Sequence, residues 1–134
     1  RTMVDSAEGG VPQWCRDNDP RITRVGKVLR KLRLDELPQL LNVLKNDMSL
    51  VGPRPIRQHF TDLLAGEIPC YRLRLLVKPG LTGWAQIHVG HANTVEAHAR
   101  TLQYDLFYLL HRSFWLDLAI LLKTVGIVAR GKGR

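Results

Sequence analysis

Two segments rich in glycine and proline limit where helices can form in this chain. In residues 49–55 two prolines flank Arg54, and residues 79–83 contain Pro79 and two glycines. Proline lacks a backbone N–H and restricts the residue before it, so neither segment can continue a helix. Outside these segments, apolar residues recur at helical spacing. The sequence therefore predicts a mostly α-helical fold with short irregular or β segments.

Helix signals divide the rest of the chain. Helices are expected over residues 22–32, 35–44, 56–64, 71–77, 93–111 and from 114 onward. In the first, an apolar face is marked by Ile22, Val25, Leu29 and Leu32, and the other faces are basic. Asn93 and Glu96 resemble a capping box, and Ser113 is the expected N-cap of the last helix. Residues 1–20 are predicted to be a loop, and residues 84–87 a short strand or extended edge.

The length and charge restrict the kind of protein. A chain of 134 residues suffices for one domain with a modest core, and we expect residues 1–134 to form it. Its formal charge of +8 favours an anionic partner such as nucleic acid, acidic lipid or a phosphorylated substrate. Cys15 and Cys70 are distant and form no CxxC pattern, so no disulfide framework or zinc site is expected. Because the chain begins with Arg1, it is expected to be an N-terminally truncated fragment.

Two adjacent carboxylates, Asp35 and Glu36, follow a strongly basic segment. The leucines that follow at helical spacing are expected to face a core, namely Leu37, Leu40, Leu41 and Leu44. In the helix predicted here, Asp35 would be the N-cap and Glu36 would lie in the first turn. The positive end of that helix would keep both side chains ionised and attract phosphate. Ordinary helix capping explains the same pair, so both roles stay open at this point.

The last predicted helix is the most apolar segment of the chain. Asp117 and Lys123 interrupt it, and no apolar run reaches the roughly 20 residues that cross a bilayer. We expect a largely buried helix. The alternative is a helix in the membrane interface, with Phe114 and Trp115 at one end and a basic tail at the other.

Several longer motifs occur together in a fixed order. They are residues 19–23 (DPRIT), 34–40 (LDELPQL), 42–44 (NVL), 47–55 (DMSLVGPRP), 78–86 (KPGLTGWAQ) and 104–106 (YDL). With these motifs the whole chain resembles the catalytic domain of the bacterial sugar transferases, the monotopic polyprenyl-phosphate hexose-1-phosphate transferases. The resemblance implies a membrane-associated domain that here lacks the family's N-terminal re-entrant membrane helix.

The resemblance also implies an activity. Family members transfer a sugar 1-phosphate from a UDP-sugar to undecaprenyl phosphate and release UMP, with Mg²⁺ as the required cofactor. This is the first membrane step of exopolysaccharide, O-antigen or glycan assembly, on the cytoplasmic face of the bacterial inner membrane. The expected partners are therefore the UDP-sugar donor, the undecaprenyl phosphate acceptor and membrane lipids, and nucleic acid is not expected.

Residue roles follow from the same resemblance. Asp35 is expected to be the nucleophile that forms a covalent phosphosugar intermediate, and Glu36 the residue that engages the metal. The residues expected to bind substrate or phosphate are Arg54, Arg30, Lys78, Gln86 and Asp105. A surface arginine on a stiff turn is the alternative for Arg54, and a helix-surface aspartate is the alternative for Asp105.

Two other interpretations fit parts of the sequence. A non-enzymatic basic module would bind acidic membrane or nucleic acid through its arginines and lysines, but it would need no Asp35–Glu36 pair, and no base-reading motif is present. A metal site formed by His88, His91 and His98 lacks a cysteine or carboxylate at zinc-site spacing, so scattered polar histidines are expected instead.

Overall fold

Helices form most of the structure, a computed structural model that describes residues 2–3, 19–31, 34–90 and 92–129. The α-helices of these ranges are α1 (Arg24–Lys31), α2 (Gln39–Leu44), α3 (Gln58–Glu67), α4 (Trp84–His88), α5 (Val95–His111) and α6 (Phe114–Ala129). Two 3₁₀ segments accompany them: the acidic turn (Leu34–Glu36) and the Arg74 helix (Tyr71–Leu76). The mostly helical class is confirmed. The predicted loop over residues 1–20 falls largely outside the described residues, as do Cys15, Leu32 and His91.

Two short parallel strands connect the irregular segments. β1 (Ser49–Val51) pairs with β2 (Gly80–Thr82), with Ser49 opposite Gly80 and Val51 opposite Thr82. Parallel strands need a long crossover, which α3 and the Arg74 helix supply. Residues 80–82 of the segment predicted to be non-helical are therefore a strand. The short strand or extended edge predicted at 84–87 is wrong, because those residues lie in α4. Three residues carry no alternation signal, so only the partner strand identifies β2.

Two apolar clusters stabilise the fold. The first joins α3, the Arg74 helix and α5 through the buried side chains of Leu64, Ile68, Tyr71 and Leu102. The second joins β1, α5 and α6 through Val51, Tyr108 and Ile120. Helix α5 contributes to both clusters, so it is the element that fixes the two strands relative to the Arg74 helix.

The termini of the long helices agree closely with the sequence. Ser113 caps α6 as predicted, since its hydroxyl accepts a hydrogen bond from the Leu116 N–H. Helix α5 ends at His111 as expected but begins one residue later than Asn93 suggested. Its N-cap is Thr94, whose hydroxyl accepts from the Ala97 N–H. Its N-terminus carries Glu96 within the first turn.

Helix α1 buries a different face from the predicted one. Ile22 and Leu29 are half-buried, but Val25 is largely exposed and Gly26 takes the inward position. A Cβ on Gly26 would meet the Thr2 carbonyl oxygen, so a bare backbone is what allows the N-terminal segment to approach α1.

The leucines after the acidic turn do not face a core, and that prediction is wrong. Helix α2 has no buried residue, and Leu44 is 82% exposed. The largely buried last helix is also wrong, since only Ile120 of α6 is buried and Trp115 is 75% exposed. Within the ranges described here, no helix is long and apolar enough to span a bilayer.

Candidate active site

Asp35 and Glu36 lie on the acidic turn between α1 and α2. The predicted N-cap role of Asp35 is wrong, because α2 begins at Gln39 and Pro38 is its N-cap residue. Proline disfavours the helical conformation in the residue before it, which separates the acidic turn from α2. Both carboxylates are half-buried, and Asp35 is paired with no cation or hydrogen-bond donor in the described parts of the chain.

Glu36 meets Arg54 across the site. The Arg54 Nη1 lies 3.4 Å from the Glu36 Oε1, with side-chain exposures of 41% and 14%. Arg54 therefore joins the acidic turn as an ion pair, and it is no isolated surface residue. Its guanidinium still has exposed N–H groups that can donate to an anion.

The segment that carries Arg54 is packed against β2 through main-chain contacts. We name residues 52–55 the Arg54 loop. The Gly52 N–H donates to the Thr82 oxygen at 2.8 Å, and the Gly80 N–H donates to the Pro53 oxygen at 2.9 Å. A Cβ on Gly80 would lie 2.0 Å from the Gly52 nitrogen, so glycine is required for this approach. The backbone immediately before Arg54 is thereby restrained.

A buried ion pair lies beneath the Arg54 loop. Arg74 and Asp105 are 3% and 2% exposed, and the Arg74 Nη2 lies 2.8 Å from the Asp105 Oδ2. The same Nη2 donates to the main-chain oxygen of Arg54 at 3.1 Å, and Nη1 donates to the Tyr71 hydroxyl at 2.9 Å. Asp105 is thus no surface aspartate, and it reaches the site through Arg74.

Burial shifts the protonation equilibria around this pair. Burial raises the pKa of Asp105 to about 6, and Arg74 opposes that rise. Burial likewise raises the pKa of Tyr71, with Arg74 again acting in the opposite direction. Burial lowers the pKa of His98, and the Arg74 charge lowers it further. At neutral pH the network therefore holds an ionised Asp105 beside Arg74 and a neutral His98.

Sequence reasoning did not identify Arg74. The signal is its spacing from Tyr71: residues three apart share a face of a helix, and Tyr71 is buried. An arginine on an apolar face needs a buried acid, and Asp105, already placed near the site, is that acid.

A family comparison decides the class of the protein. The family described as bacterial sugar transferase matches residues 1–131 of this chain. The chain belongs to the bacterial sugar transferase family. The resemblance stated from the motifs is confirmed.

The curated relatives carry specific names. A UDP-N-acetylgalactosamine-undecaprenyl-phosphate N-acetylgalactosaminephosphotransferase of Aeromonas hydrophila is 46% identical over 133 residues, covering 99% of this chain and 31% of the relative. A UDP-glucose:undecaprenyl-phosphate glucose-1-phosphate transferase of Caulobacter vibrioides is 45% identical over 127 residues, covering 93% and 48%. An undecaprenyl-phosphate galactose phosphotransferase of Salmonella typhimurium is 46% identical over 125 residues, covering 90% and 25%. The chain spans between a quarter and a half of these relatives.

Lys78, Gln86 and Arg30, the remaining residues expected in the site of this sugar transferase, contact neighbouring segments of the chain. Lys78 donates to the main-chain and side-chain oxygens of Asn46 at 2.8 and 2.6 Å. Gln86 donates to the Leu81 oxygen at 3.3 Å, and its own Oε1 is buried without a hydrogen-bond partner in the described residues. Arg30 lies on α1, which packs against the acidic turn, and its guanidinium reaches the Thr2 hydroxyl at 3.5 Å.

A cleft of about 550 Å³ opens beside Lys78. Its polar lining includes Lys78, Arg112 and the Tyr108–Asp117 pair, whose hydroxyl and carboxylate oxygens are 2.8 Å apart. Burial raises the pKa of Tyr108, and the bond to Asp117 raises it further. Lys78 thus faces open space, but none of the lining residues of this cleft belongs to the acidic turn or the Arg54 loop.

The carboxylates of Asp35 and Glu36 are chemically suited to bind a magnesium ion. Mg²⁺ prefers oxygen ligands and usually takes one or two protein carboxylates, with substrate phosphates and water completing its shell. Asp35 and Glu36 supply such oxygens on one turn, and Glu36 would hold the ion. No group of three or more potential metal ligands exists among the described residues, so the donor set here is a pair.

Proposed function

We propose that this chain transfers a sugar 1-phosphate from a UDP-sugar to undecaprenyl phosphate through a covalent phosphosugar intermediate on Asp35, with release of UMP. Family membership and the names of the relatives support the reaction class and both substrates. One observation carries the mechanism: Asp35 is a half-buried carboxylate with no partner among the described residues, beside Glu36, which is paired with the semi-exposed Arg54.

The first half-reaction is a displacement at phosphorus. An Asp35 carboxylate oxygen attacks the sugar-bearing phosphorus, the bond from that phosphorus to the bridging oxygen breaks, and UMP leaves with the electron pair. The product is an acyl phosphate that carries the sugar. A carboxylate already bound to a cation would be a weaker nucleophile, so the absence of a cation beside Asp35 in the described part of the chain suits this role.

The second half-reaction regenerates the enzyme. A phosphate oxygen of undecaprenyl phosphate attacks the same phosphorus, and the Asp35 carboxylate leaves with its electron pair. The lipid then carries a diphosphate-linked sugar, and Asp35 is ionised again. Two displacements at one phosphorus replace a single transfer between two anionic substrates.

Repulsion between the carboxylate and the diphosphate must be overcome. Arg54 is suited to this, because a guanidinium donates two parallel hydrogen bonds to a phosphate and the Arg54 loop restrains its position. Glu36 keeps Arg54 beside the acidic turn before substrate binds. A magnesium ion, when bound, neutralises charge on the diphosphate oxygens.

We further propose that the protein works at the cytoplasmic face of the bacterial inner membrane. A lipid acceptor places the reaction at a membrane, and two helices expose apolar side chains that no described residue covers. They are Leu40, Leu41 and Leu44 on α2 and Phe114, Trp115, Leu122 and Val125 on α6. Aromatic and aliphatic side chains of this kind insert at the boundary between lipid head groups and acyl chains.

Intact mass spectrometry tests the proposal directly. The protein is mixed with Mg²⁺ and candidate UDP-sugars, and the expected result is an added mass of one sugar phosphate together with released UMP. Asp35→Asn should abolish both, whereas Asp47→Asn, an exposed aspartate in the turn after α2, should retain both. An adduct that persists in Asp35→Asn would remove Asp35 as the nucleophile.

The same preparation tests the rival interpretation. A basic module that binds nucleic acid or acidic membrane would bind in a salt-sensitive manner, without nucleotide release, and equally well in Asp35→Asn. That outcome would replace the enzymatic proposal.

A further inference from the structure

We propose that Arg74 is a positioning residue, which fixes the main chain of Arg54 and so aims the Arg54 guanidinium at the substrate phosphate beside Glu36. This inference rests on the proposed function, because it concerns the phosphate contact of that reaction. Arg74 itself is buried and touches no surface that a substrate reaches.

The contacts of Arg74 connect three elements. From the Arg74 helix its guanidinium reaches the Arg54 loop, through the Arg54 main-chain oxygen at 3.1 Å, and α5, through Asp105 at 2.8 Å. It also donates to the Tyr71 hydroxyl within its own helix. A planar guanidinium with five donors can bond to separate acceptors at fixed angles, which an ammonium group cannot do.

Stability alone does not explain this arrangement. A buried ion pair gains little over well-packed apolar residues of the same volume, because both charges must be removed from water. The pair instead fixes the direction of the Arg74 guanidinium, and with it the position of the Arg54 main-chain oxygen. The Arg54 main-chain oxygen and the Arg54 side chain belong to one residue, so holding the oxygen limits where the Cα–Cβ bond can point.

A second contact from α5 holds the start of the same segment. Tyr108 lies three residues after Asp105 and therefore on the same face of α5, and its hydroxyl lies 3.4 Å from the Val51 oxygen. Helix α5 thus restrains the chain just before the Arg54 loop directly and at Arg54 through Arg74. A displacement of about 1 Å in a substrate-positioning group can lower a rate by about 10²-fold.

Hydrogen exchange tests whether Arg74 holds the loop. In Arg74→Lys, which keeps the charge opposite Asp105, a peptide spanning residues 51–57 should exchange its amide hydrogens at least about tenfold faster than in wild type. The matched control is Arg72→Lys on the same helix, because Arg72 pairs with Asp62 at the surface. Unchanged exchange in folded Arg74→Lys would overturn the inference, whatever the activity.

A double-mutant cycle tests whether the effect passes through Arg54. Arg74→Lys should lower kcat for UMP release by about 10- to 100-fold with little change in KM, and by less than about threefold when Arg54→Ala is already present. Equal effects in both backgrounds would show that Arg74 acts independently of Arg54 and would contradict the proposal.

Two outcomes separate this inference from the proposed function. If wild type releases no UMP but Arg74→Lys still speeds exchange over residues 51–57, the proposed function fails and the restraint on the loop stands. If wild type is active and the effects of Arg74→Lys and Arg54→Ala are additive, the proposed function stands and the inference about Arg74 fails. Should Arg74→Lys fail to fold, Asp105→Glu replaces it, because it keeps both charges and displaces only the carboxylate.

Discussion

The acidic turn and the Arg54 loop face each other across the candidate site, but the rest of the protein holds them differently. The acidic turn is followed by α2, which has no buried residue, and the Asp35 side chain has no partner in the described residues. The Arg54 loop is bonded to β2 through Gly52 and Pro53, and the buried Arg74 donates to its Arg54 oxygen.

This difference indicates which half of the site sets its geometry. Few buried contacts allow a segment to move, and dense burial with main-chain bonds prevents it. We infer that the Arg54 loop is the fixed reference and that the acidic turn adjusts to substrate and lipid. The nucleophile proposed at Asp35 would meet two different phosphates in turn and would benefit from such freedom.

The largest expected effect comes from Gly80→Ala, because Gly80 packs against the Arg54 loop, the rigid half of the site. The added Cβ would lie 2.0 Å from the Gly52 nitrogen and 2.6 Å from the Gly52 Cα, and both atoms are backbone. We expect a loss of about 3 kcal/mol or more in the free energy of unfolding, measured by urea denaturation.

Gly66→Ala is the matched control for that substitution. A Cβ on Gly66 of α3 would meet nothing within 4 Å, so this variant should gain about 0.5–1 kcal/mol from helix propensity. A Gly80→Ala protein as stable as wild type would show that the strand contact at the Arg54 loop is loose.

The second prediction concerns the buried Arg74–Asp105 pair beneath the Arg54 loop and the pH dependence of its contribution to stability. The pKa of Asp105 is raised from 3.8 to about 6, so its contribution to stability is complete below about pH 4 and is lost as the pH rises through 6. The two pKa values differ by an amount equivalent to about 3 kcal/mol.

Urea denaturation of wild type and Asp105→Asn between about pH 4 and pH 7 measures this contribution. The stability advantage of wild type over the variant should shrink by about 2–3 kcal/mol across that range. His98 is present in both proteins, so its own titration largely cancels. An advantage that grows with pH would mean that Arg74 outweighs burial and lowers the pKa of Asp105.

The rigid half was also the more predictable from sequence. Pro53, Pro55 and the glycines at 80 and 83 identified the non-helical segments, and the ends of α5 and α6 followed from capping residues. These signals are local, since a cap or a proline acts on its own turn. Arg74 could not be placed in the same way, because its acceptors lie 20 and 31 residues away in sequence.

The acidic half misled sequence reasoning for a physical reason. The spacing of the leucines from Leu37 to Leu44 signals an apolar face, but it does not identify what covers that face. A face that packs on a core and one that meets lipid have the same pattern. The pairing of Glu36 with Arg54 likewise depends on tertiary contacts that no spacing encodes.

The third prediction tests the cation that joins the two halves. Arg54→Ala should lower kcat for UMP release by about 10²-fold, equivalent to about 2.7 kcal/mol, because a donor to the developing charge is lost. Arg54→Lys should lose less, since it keeps the charge without the bidentate geometry. Arg72→Ala, which removes an exposed ion pair, should leave the rate unchanged. A rate for Arg54→Ala within threefold of wild type would contradict the assigned role.

The smallest expected effect is a change in stability at α2, the helix that follows the acidic turn. Leu44 is 82% exposed, so Leu44→Ala should change the free energy of unfolding by less than about 0.5 kcal/mol. Leu64, 1% exposed on α3, is the matched control, and Leu64→Ala should lose about 2–5 kcal/mol. If α2 meets lipid, the Leu44 variant should also bind less to anionic vesicles while remaining fully folded, and Leu64→Ala should show the opposite pattern. A large stability loss in Leu44→Ala would mean that α2 is packed after all, and the inferred freedom of the acidic turn would have to be abandoned.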